Sequence, residues 1–293
     1  MAENILEIKN LCKSYKKFKL SDVNINLPRG YIMGFVGANG AGKTTTIKLI
    51  MNMIKRDSGE IKVFDKDNIQ YELQIKDKIG YVGETPVFYD EMTVRWTADF
   101  ARRFYSNWDD EFFKQLLKKF NVDSNKKINE LSKGMKMKTS LSIALAHNPE
   151  LLILDEPTSG LDPIVRDELL SVLMEFIQDE RRGVFFSSHI TSDIEKIADY
   201  VTLIDGGKII LSEVKDDILE RWKLVKGDIN KVNYYKRDLI GLQVTRTGYE
   251  ALIKDIKNFE SKYDTSSIVI DNANLDDILL HLSRKENLHG AAY

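Results

Sequence analysis

The chain has 293 residues, 43% of them apolar, enough for one large packed α/β domain and a small one. Its 43 basic and 45 acidic residues nearly cancel, which excludes a global field suited to nucleic acid, and lysines such as Lys13, Lys16, Lys17 and Lys19 read as a solvated face. The single Cys12 excludes an internal disulfide and fits a reducing compartment, the first ten residues lack a signal-peptide core, and no run approaches the roughly 20 apolar residues of a membrane helix.

Residues 5–37 read as strands with a turn at Pro28, Arg29 and Gly30, a small antiparallel layer. The apolar run YIMGFV at 31–36 predicts a buried strand, and residues 43–54 a helix. Between them stands GANGAGKTT at 37–45, which fits the phosphate-loop pattern with both flanks in order. Glycines let backbone N–H groups curl around phosphate oxygens, and the helix N-terminus adds the positive end of its dipole. Lys43 can reach β- and γ-phosphates, and the Thr44 hydroxyl can hold Mg²⁺.

Residues 59–64 read as a strand. Helical patterns then cover 93–105, 109–120 and 133–147. Ser132 is a plausible helix cap in LSKGM at 131–135. The run LLILDE at 151–156 predicts a strand ending in two carboxylates. An acid at that tip, Asp155, can bind Mg²⁺ through water, and Glu156 is then placed to orient and deprotonate an attacking water. Next come SGLD at 159–162, a helix from Pro163, a strand GVFFSS at 183–188 followed by His189, and a helix from Thr191. A hairpin is predicted from strands at 201–204 and 208–211, split by Gly206 and Gly207.

These motifs, in this order, resemble the ATP-binding cassette of ABC transporters over roughly residues 5–220, bacterial drug, antibiotic or peptide exporters in particular. The serine–glycine signature ahead of the strand-end acids separates this family from other phosphate-loop proteins. The resemblance implies a phosphate-loop ATPase fold: a mostly parallel core sheet, an antiparallel β layer and a helical arm at about 85–147. It implies that Tyr15 stacks on adenine and that Gly37, Asn39, Gly40, Ala41, Gly42, Lys43, Thr44 and Thr45 hold ATP. Ser132 and Gly134 then meet the γ-phosphate held by a second cassette, and Asp162 links the two sites. Glu156 becomes the catalytic carboxylate and His189 the switch histidine that contacts the γ-phosphate. Thr44, Asp155 and Glu84 become the Mg²⁺ set. The implied partners are a separate transmembrane permease, touched by the arm, and a second cassette, as homodimer or heterodimer. The implied location is the cytoplasmic face of the cell membrane.

Two departures stand out. Glu84 follows IGYVG at 79–83 where the family usually has Gln, and Lys133 and Met135 stand in the signature where Gly and Gln are usual. Lys133 adds charge at the expected interface. Three rivals compete. A ribosome-acting ABC ATPase usually holds two cassettes in one chain. A DNA-repair relative needs a long coiled coil between 54 and 132, for which there is neither room nor heptads. A phosphate-loop kinase lacks the signature.

From about 216 the pattern changes. Helical stretches at 218–222, 250–263 and 275–284 and strands at 239–245 and 267–270 predict a small α+β appendage over 220–293, after a cassette over 1–219. It reads equally as a passive support and as a module for dimerisation or regulation.

Overall fold

The computed structural model of the protein describes residues 3–289. In chain order its elements are β1 (Asn4–Ser14), β2 (Lys19–Pro28), β3 (Ile32–Val36), α1 (Lys43–Ile50), β4 (Ser58–Val63), β5 (Lys66–Asp67), α2 (Glu72–Lys76), β6 (Ile79–Val82), α3 (Val94–Ala101), α4 (Asp110–Lys119), α5 (Lys133–Ala146), β7 (Leu151–Asp155) and α6 (Pro163–Phe176). They continue with β8 (Gly183–Ser188), α7 (Thr191–Ile197), β9 (Tyr200–Asp205), β10 (Lys208–Val214), α8 (Lys215–Arg221), β11 (Lys223–Gly227), α9 (Val232–Tyr235), β12 (Ile240–Val244), β13 (Tyr249–Ile253), α10 (Ile256–Lys262), β14 (Ile268–Asn272) and α11 (Leu275–His289). The chain divides into two compact units, Met1–Ile209 and Ile210–Tyr293.

In the first unit, β3, β7 and β8 are buried along their whole length. Strands covered on both faces read as unbroken apolar runs, which is how parallel sheets appear in sequence. They occupy the middle of a six-stranded sheet in the order β10-β9-β3-β8-β7-β6. β3 pairs in parallel with β8 and β9, and β7 with β6 and β8. The register sets Val36 beside Ser188 and Asp155 beside Ser187. The C-terminal ends of β3, β8 and β7 therefore coincide, and the crevice beyond such ends is where open α/β sheets take ligands.

A second, antiparallel sheet runs β2-β1-β4-β5. One apolar core joins Ile5, Ile8, Leu11 and Ile25 of this layer to Phe35, Ile153 and Phe185 of the parallel sheet and to Ile47 and Ile50 of α1. That packing fixes the start of α1, and with it the loop before it.

The arm at 85–147 is helical. Each of its helices begins at a side-chain cap: Thr93 Oγ1 accepts from Trp96 N at 3.1 Å, Asp109 Oδ1 from Phe112 N at 2.8 Å, and Ser132 Oγ from Met135 N at 3.2 Å. The helix expected over 93–105 is shorter, Val94–Ala101, and its last part tightens into a 3₁₀ turn at Arg102–Phe104. Trp96, Phe100 and Phe104 form an exposed aromatic row, with Trp96 stacked on Phe100 at 5.4 Å and Phe100 edge-on to Phe104 at 5.3 Å. Exposed Tyr89 extends it, 5.8 Å from Trp96.

The second unit holds an antiparallel sheet β12-β13-β11-β14. Its core is Val225, Val232, Tyr235, Tyr249, Ile253 and Phe259. Tyr235 Oη donates to the Asp264 carbonyl at 2.7 Å, and His281 Nδ1 of α11 lies 2.7 Å from the Gly241 carbonyl of β12. Burial pushes the Tyr249 phenol up to about 12. The helix expected over 250–263 is corrected here. Tyr249–Ile253 is a strand paired on both sides, and only Ile256–Lys262 is helical, capped by Asp255 Oδ1 on Asn258 N at 3.0 Å. Sheet pairing overrides the helical spacing of its apolar residues. β11, at its centre, has no counterpart among the sequence expectations.

Candidate active site

The loop between β3 and α1 is shaped by its neighbours. A Cβ on Gly37 would lie 2.3 Å from the Ile204 carbonyl, and Gly42, at the cap of α1, has φ +120°. Both positions therefore need glycine. Lys43 opens α1 and is 5% exposed. Its ammonium folds back to donate to the Gly37 carbonyl at 2.6 Å and the Ala38 carbonyl at 3.2 Å. Ala38, Asn39 and Gly40 are exposed, Ala41 is buried, and Thr44 and Thr45 are half-buried in the first turn. That turn holds no acidic residue. Its N–H groups and dipole suit an anion. Tyr15 is exposed, with Lys13 Nζ 5.7 Å from its ring centroid. Its N–H donates to the Phe18 carbonyl at 2.8 Å, and the Phe18 ring lies 3.0 Å from the Cβ position of Gly42. The turn carrying Tyr15 thus leans on the phosphate loop.

Beyond β7, Glu156 is buried and has the left-handed φ of +53°. Its N–H donates to the Ser187 carbonyl at 3.1 Å and lies 3.2 Å from Ser187 Oγ. Ser187 Oγ in turn donates to Asp155 Oδ1 at 2.8 Å. Glu156 Oε1 sits 3.0 Å from Lys43 Nζ, an ion pair poorly aligned as a hydrogen bond. Glu156 Oε2 accepts from His189 N at 3.2 Å and lies 2.6 Å from His189 Nδ1, which donates to an ionised carboxylate. Tyr81 of β6 is half-buried. Burial, and then the charge of Asp155, hold its phenol above the ordinary value.

Direct contacts therefore gather Gly37, Lys43, Asp155, Glu156 and His189 at the ends of β3, β7 and β8. Such a group can hold a phosphate chain at Lys43 and α1 while a carboxylate faces the same point with a histidine behind it. Ser187, which fastens the two acids together, was missed. Its signal was the polar end of an otherwise apolar strand, next to His189.

Ser132, Gly134 and Asp162 fall in a second cluster. Ser132 is exposed at the cap of α5, and a Cβ on Gly134 would lie 3.2 Å from Val165 Cγ1 of α6. Asp162 caps α6, its Oδ1 accepting from Ile164 N at 3.1 Å and Val165 N at 3.0 Å. Lys133 reaches across to donate to the Ser159 carbonyl at 2.7 Å. Glu84 is exposed in the loop after β6.

Among the described residues no group of three or more His, Cys, Asp or Glu side chains could cage a metal ion. Mg²⁺ needs no such cage. It keeps several waters and takes one or two protein oxygens plus substrate phosphates. The Thr44 hydroxyl and the Asp155 carboxylate fit that demand.

Residues 20–159 match the family profile described as ABC transporter. The chain is 36% identical over 220 residues to the bacitracin transport ATP-binding protein BcrA of Bacillus licheniformis, covering 74% of this chain and 72% of that one. It is 35% identical over 216 residues to the lantibiotic transport ATP-binding protein SrtF of Streptococcus pyogenes, covering 72% and 92%. Among solved structures it is similar to an ATP-binding subunit of an ABC transporter, at TM-score 0.68 and 29% identity, covering 74% of this chain and 92% of that one. The loop, the strand-end acids and these likenesses agree: the chain belongs to the ABC transporter family, as one of its ATP-binding ATPases.

Proposed function

We propose that the chain is the subunit that powers a membrane exporter through ATP-driven closure of two cassettes. The observation that carries this reading is the convergence of Lys43, Glu156 and His189 at the C-terminal edge of the parallel sheet. Gly37, Asn39, Gly40, Ala41, Gly42, Lys43, Thr44 and Thr45 hold the phosphates of ATP, and Tyr15 carries the adenine. Thr44 and Asp155 hold Mg²⁺, which supplies charge neutralisation on the phosphates, with Glu84 as a third ligand. A steep Mg²⁺ dependence of the ATPase rate that Glu84→Gln flattens tests that third ligand.

Glu156 takes the proton of the attacking water, and His189 orients the carboxylate and contacts the γ-phosphate. Positioning and electrostatic stabilisation carry the rate, since phosphoryl transfer asks little covalent chemistry of the protein. Ser132 and Gly134 close on the ATP of a second cassette, the same chain or a relative, and Asp162 links the two sites.

The second partner is a separate permease at the inner face of the cell membrane. Among the described residues no helix is long and apolar enough to cross a membrane. The exposed row Tyr89, Trp96, Phe100 and Phe104 on the arm supports such a partner, because a contiguous apolar patch on a surface marks a contact. Relatives named for bacitracin and lantibiotic transport favour an antimicrobial peptide as cargo. The second unit serves as a support or as a module that tunes pairing.

Purification from native membrane tests the reading. A membrane-spanning chain co-purifies and raises the ATPase rate. Co-purification with ribosomes instead would replace this reading by a soluble translation-linked ATPase.

A further inference from the structure

Lys133 occupies the signature, yet its ammonium is committed inside its own subunit. It donates to the carbonyl of Ser159 at 2.7 Å, bridging the start of α5 and the segment between β7 and α6. That segment is built of consecutive turns. Ser159 N donates to the Glu156 carbonyl at 3.1 Å, and Leu161 N to the Thr158 carbonyl at 3.2 Å. It ends at Asp162, the cap of α6. Gly160 has φ +65°, and a Cβ there would lie 2.9 Å from Lys133 Nζ. The side chain at 133 and the missing side chain at 160 therefore depend on each other. A methyl at 160 would crowd the ammonium and force it to shift.

The two segments so joined are the ones assigned to the shared face. Ser132 and Gly134 flank the lysine in the chain, and Asp162 lies two residues beyond Gly160. Near the signature the helices also meet through an apolar contact, Gly134 against Val165, and a turn further along α5 Lys138 pairs with Glu168 of α6, beyond the segment that carries Asp162. A methyl contact fixes a distance but not a direction, whereas a charged hydrogen bond fixes both. We infer that Lys133 is a positioning residue for the composite site: its bond to the Ser159 carbonyl sets the signature and the Asp162 loop in the relative placement that a second cassette and its nucleotide require. This rests on the shared-site reading of the function. The ammonium itself touches no nucleotide in this account. It acts through the Ser159 carbonyl.

The test measures ATPase activity of the full chain against protein concentration. Wild type gives a midpoint that reports pairing. Lys133→Met shifts that midpoint upward by about tenfold, the worth of a hydrogen bond to a charged group. ATP affinity of the dilute subunit stays unchanged, and the unfolding temperature falls only by what one exposed hydrogen bond contributes. Lys133→Arg, which keeps a donor, recovers part of the shift. A double-mutant cycle with Gly160→Ala separates the latch from backbone strain. In wild type the added methyl pushes the ammonium off its bond and shifts the midpoint. In the Lys133→Met background it shifts the midpoint less, because the strain at φ +65° is common to both. A wild-type rate simply proportional to protein concentration would overturn the shared-site reading and the latch together. A wild-type midpoint that Lys133→Met leaves in place, or effects of the two substitutions that add, would overturn the latch alone.

Discussion

Lys43 at the head of α1 and Glu156 beyond the end of β7 hold each other in a buried ion pair at 3.0 Å. Each is the natural partner of something else: the lysine of a phosphate chain, the carboxylate of a water. On the proposed function, ATP would take Lys43 away from Glu156. That exchange would free the carboxylate for the attacking water. The pair keeps two buried charges satisfied until the substrate arrives, which matters because an unpaired buried charge is costly.

Glu156→Gln keeps the shape and removes the basic oxygen. Hydrolysis is expected to fall by about 10²-fold or more, as for loss of a general base. ATP binding should be no weaker than in wild type, because the carboxylate that competes with phosphate for Lys43 is gone. Isothermal titration and single-turnover hydrolysis measure the two arms. Near-normal turnover would move the catalytic role to another residue.

Lys43→Ala removes the cation from the phosphates and leaves Glu156 buried beside His189 alone. Loss of one partner of a buried pair costs about 3–5 kcal/mol. The variant should bind ATP poorly and also unfold at lower denaturant before any nucleotide is added. Adding Glu156→Gln should recover much of that stability without restoring ATP binding. Equal destabilisation in the presence and absence of Glu156 would show that the pair contributes nothing.

At the signature, charge and bulk can be separated. A Cβ at Gly134 meets Val165 at 3.2 Å, so Gly134→Ala carries the packing cost alone. Gly134→Asp adds a negative charge where a partner's γ-phosphate is expected. Both variants should bind ATP as isolated subunits, and only the aspartate should abolish the ATP-driven dimer. A normal ATP-dependent dimer peak for Gly134→Asp would sink the composite site.

His147 gives the fold an acid sensitivity of its own. The ring is buried, stacked on Tyr105 with centroids 3.8 Å apart, and its Nε2 lies 3.1 Å from the Ile79 carbonyl. Burial pushes the imidazole below its ordinary value, and the backbone partners Ile79 and Ile143, with a smaller help from the Asp77 charge, offset this only in part. In the unfolded chain the ring takes a proton near pH 6.5. In the folded chain it does so at lower pH. Between these values the unfolded state binds more protons, so stability is full above about pH 6.5 and falls as pH drops through the window. His147→Phe keeps the stack on Tyr105 and should flatten that loss between about pH 7.5 and 5.5. Unfolding temperatures that drop equally in wild type and variant would assign the sensitivity elsewhere.

The phosphate loop was legible because its chemistry is contiguous: glycines, Lys43 and Thr44 stand in one unbroken run between an apolar strand and a helix. The buried strands β7 and β8 were legible for the same reason. What the sequence hid are contacts between segments far apart in the chain. Nothing around Lys133 points to the Ser159 carbonyl, and the polar end of the strand at 183–188 does not say that Ser187, not Ser188, ties Asp155 to Glu156. In the second unit, residues 250–263 carry apolar side chains at spacings that satisfy a helix. The break at Lys254 and Asp255 becomes visible only once β11 is there to pair with β13.

The aromatic row on the arm has a practical consequence. Trp96, Phe100 and Phe104 are exposed on the subunit without nucleotide, and Tyr89 widens the patch. Overproduced alone, the chain would offer other copies a sticky face unrelated to ATP. Oligomers that form without nucleotide, grow with salt and vanish on Phe100→Ser would come from this face, and they form the background against which any nucleotide-dependent pairing must be read.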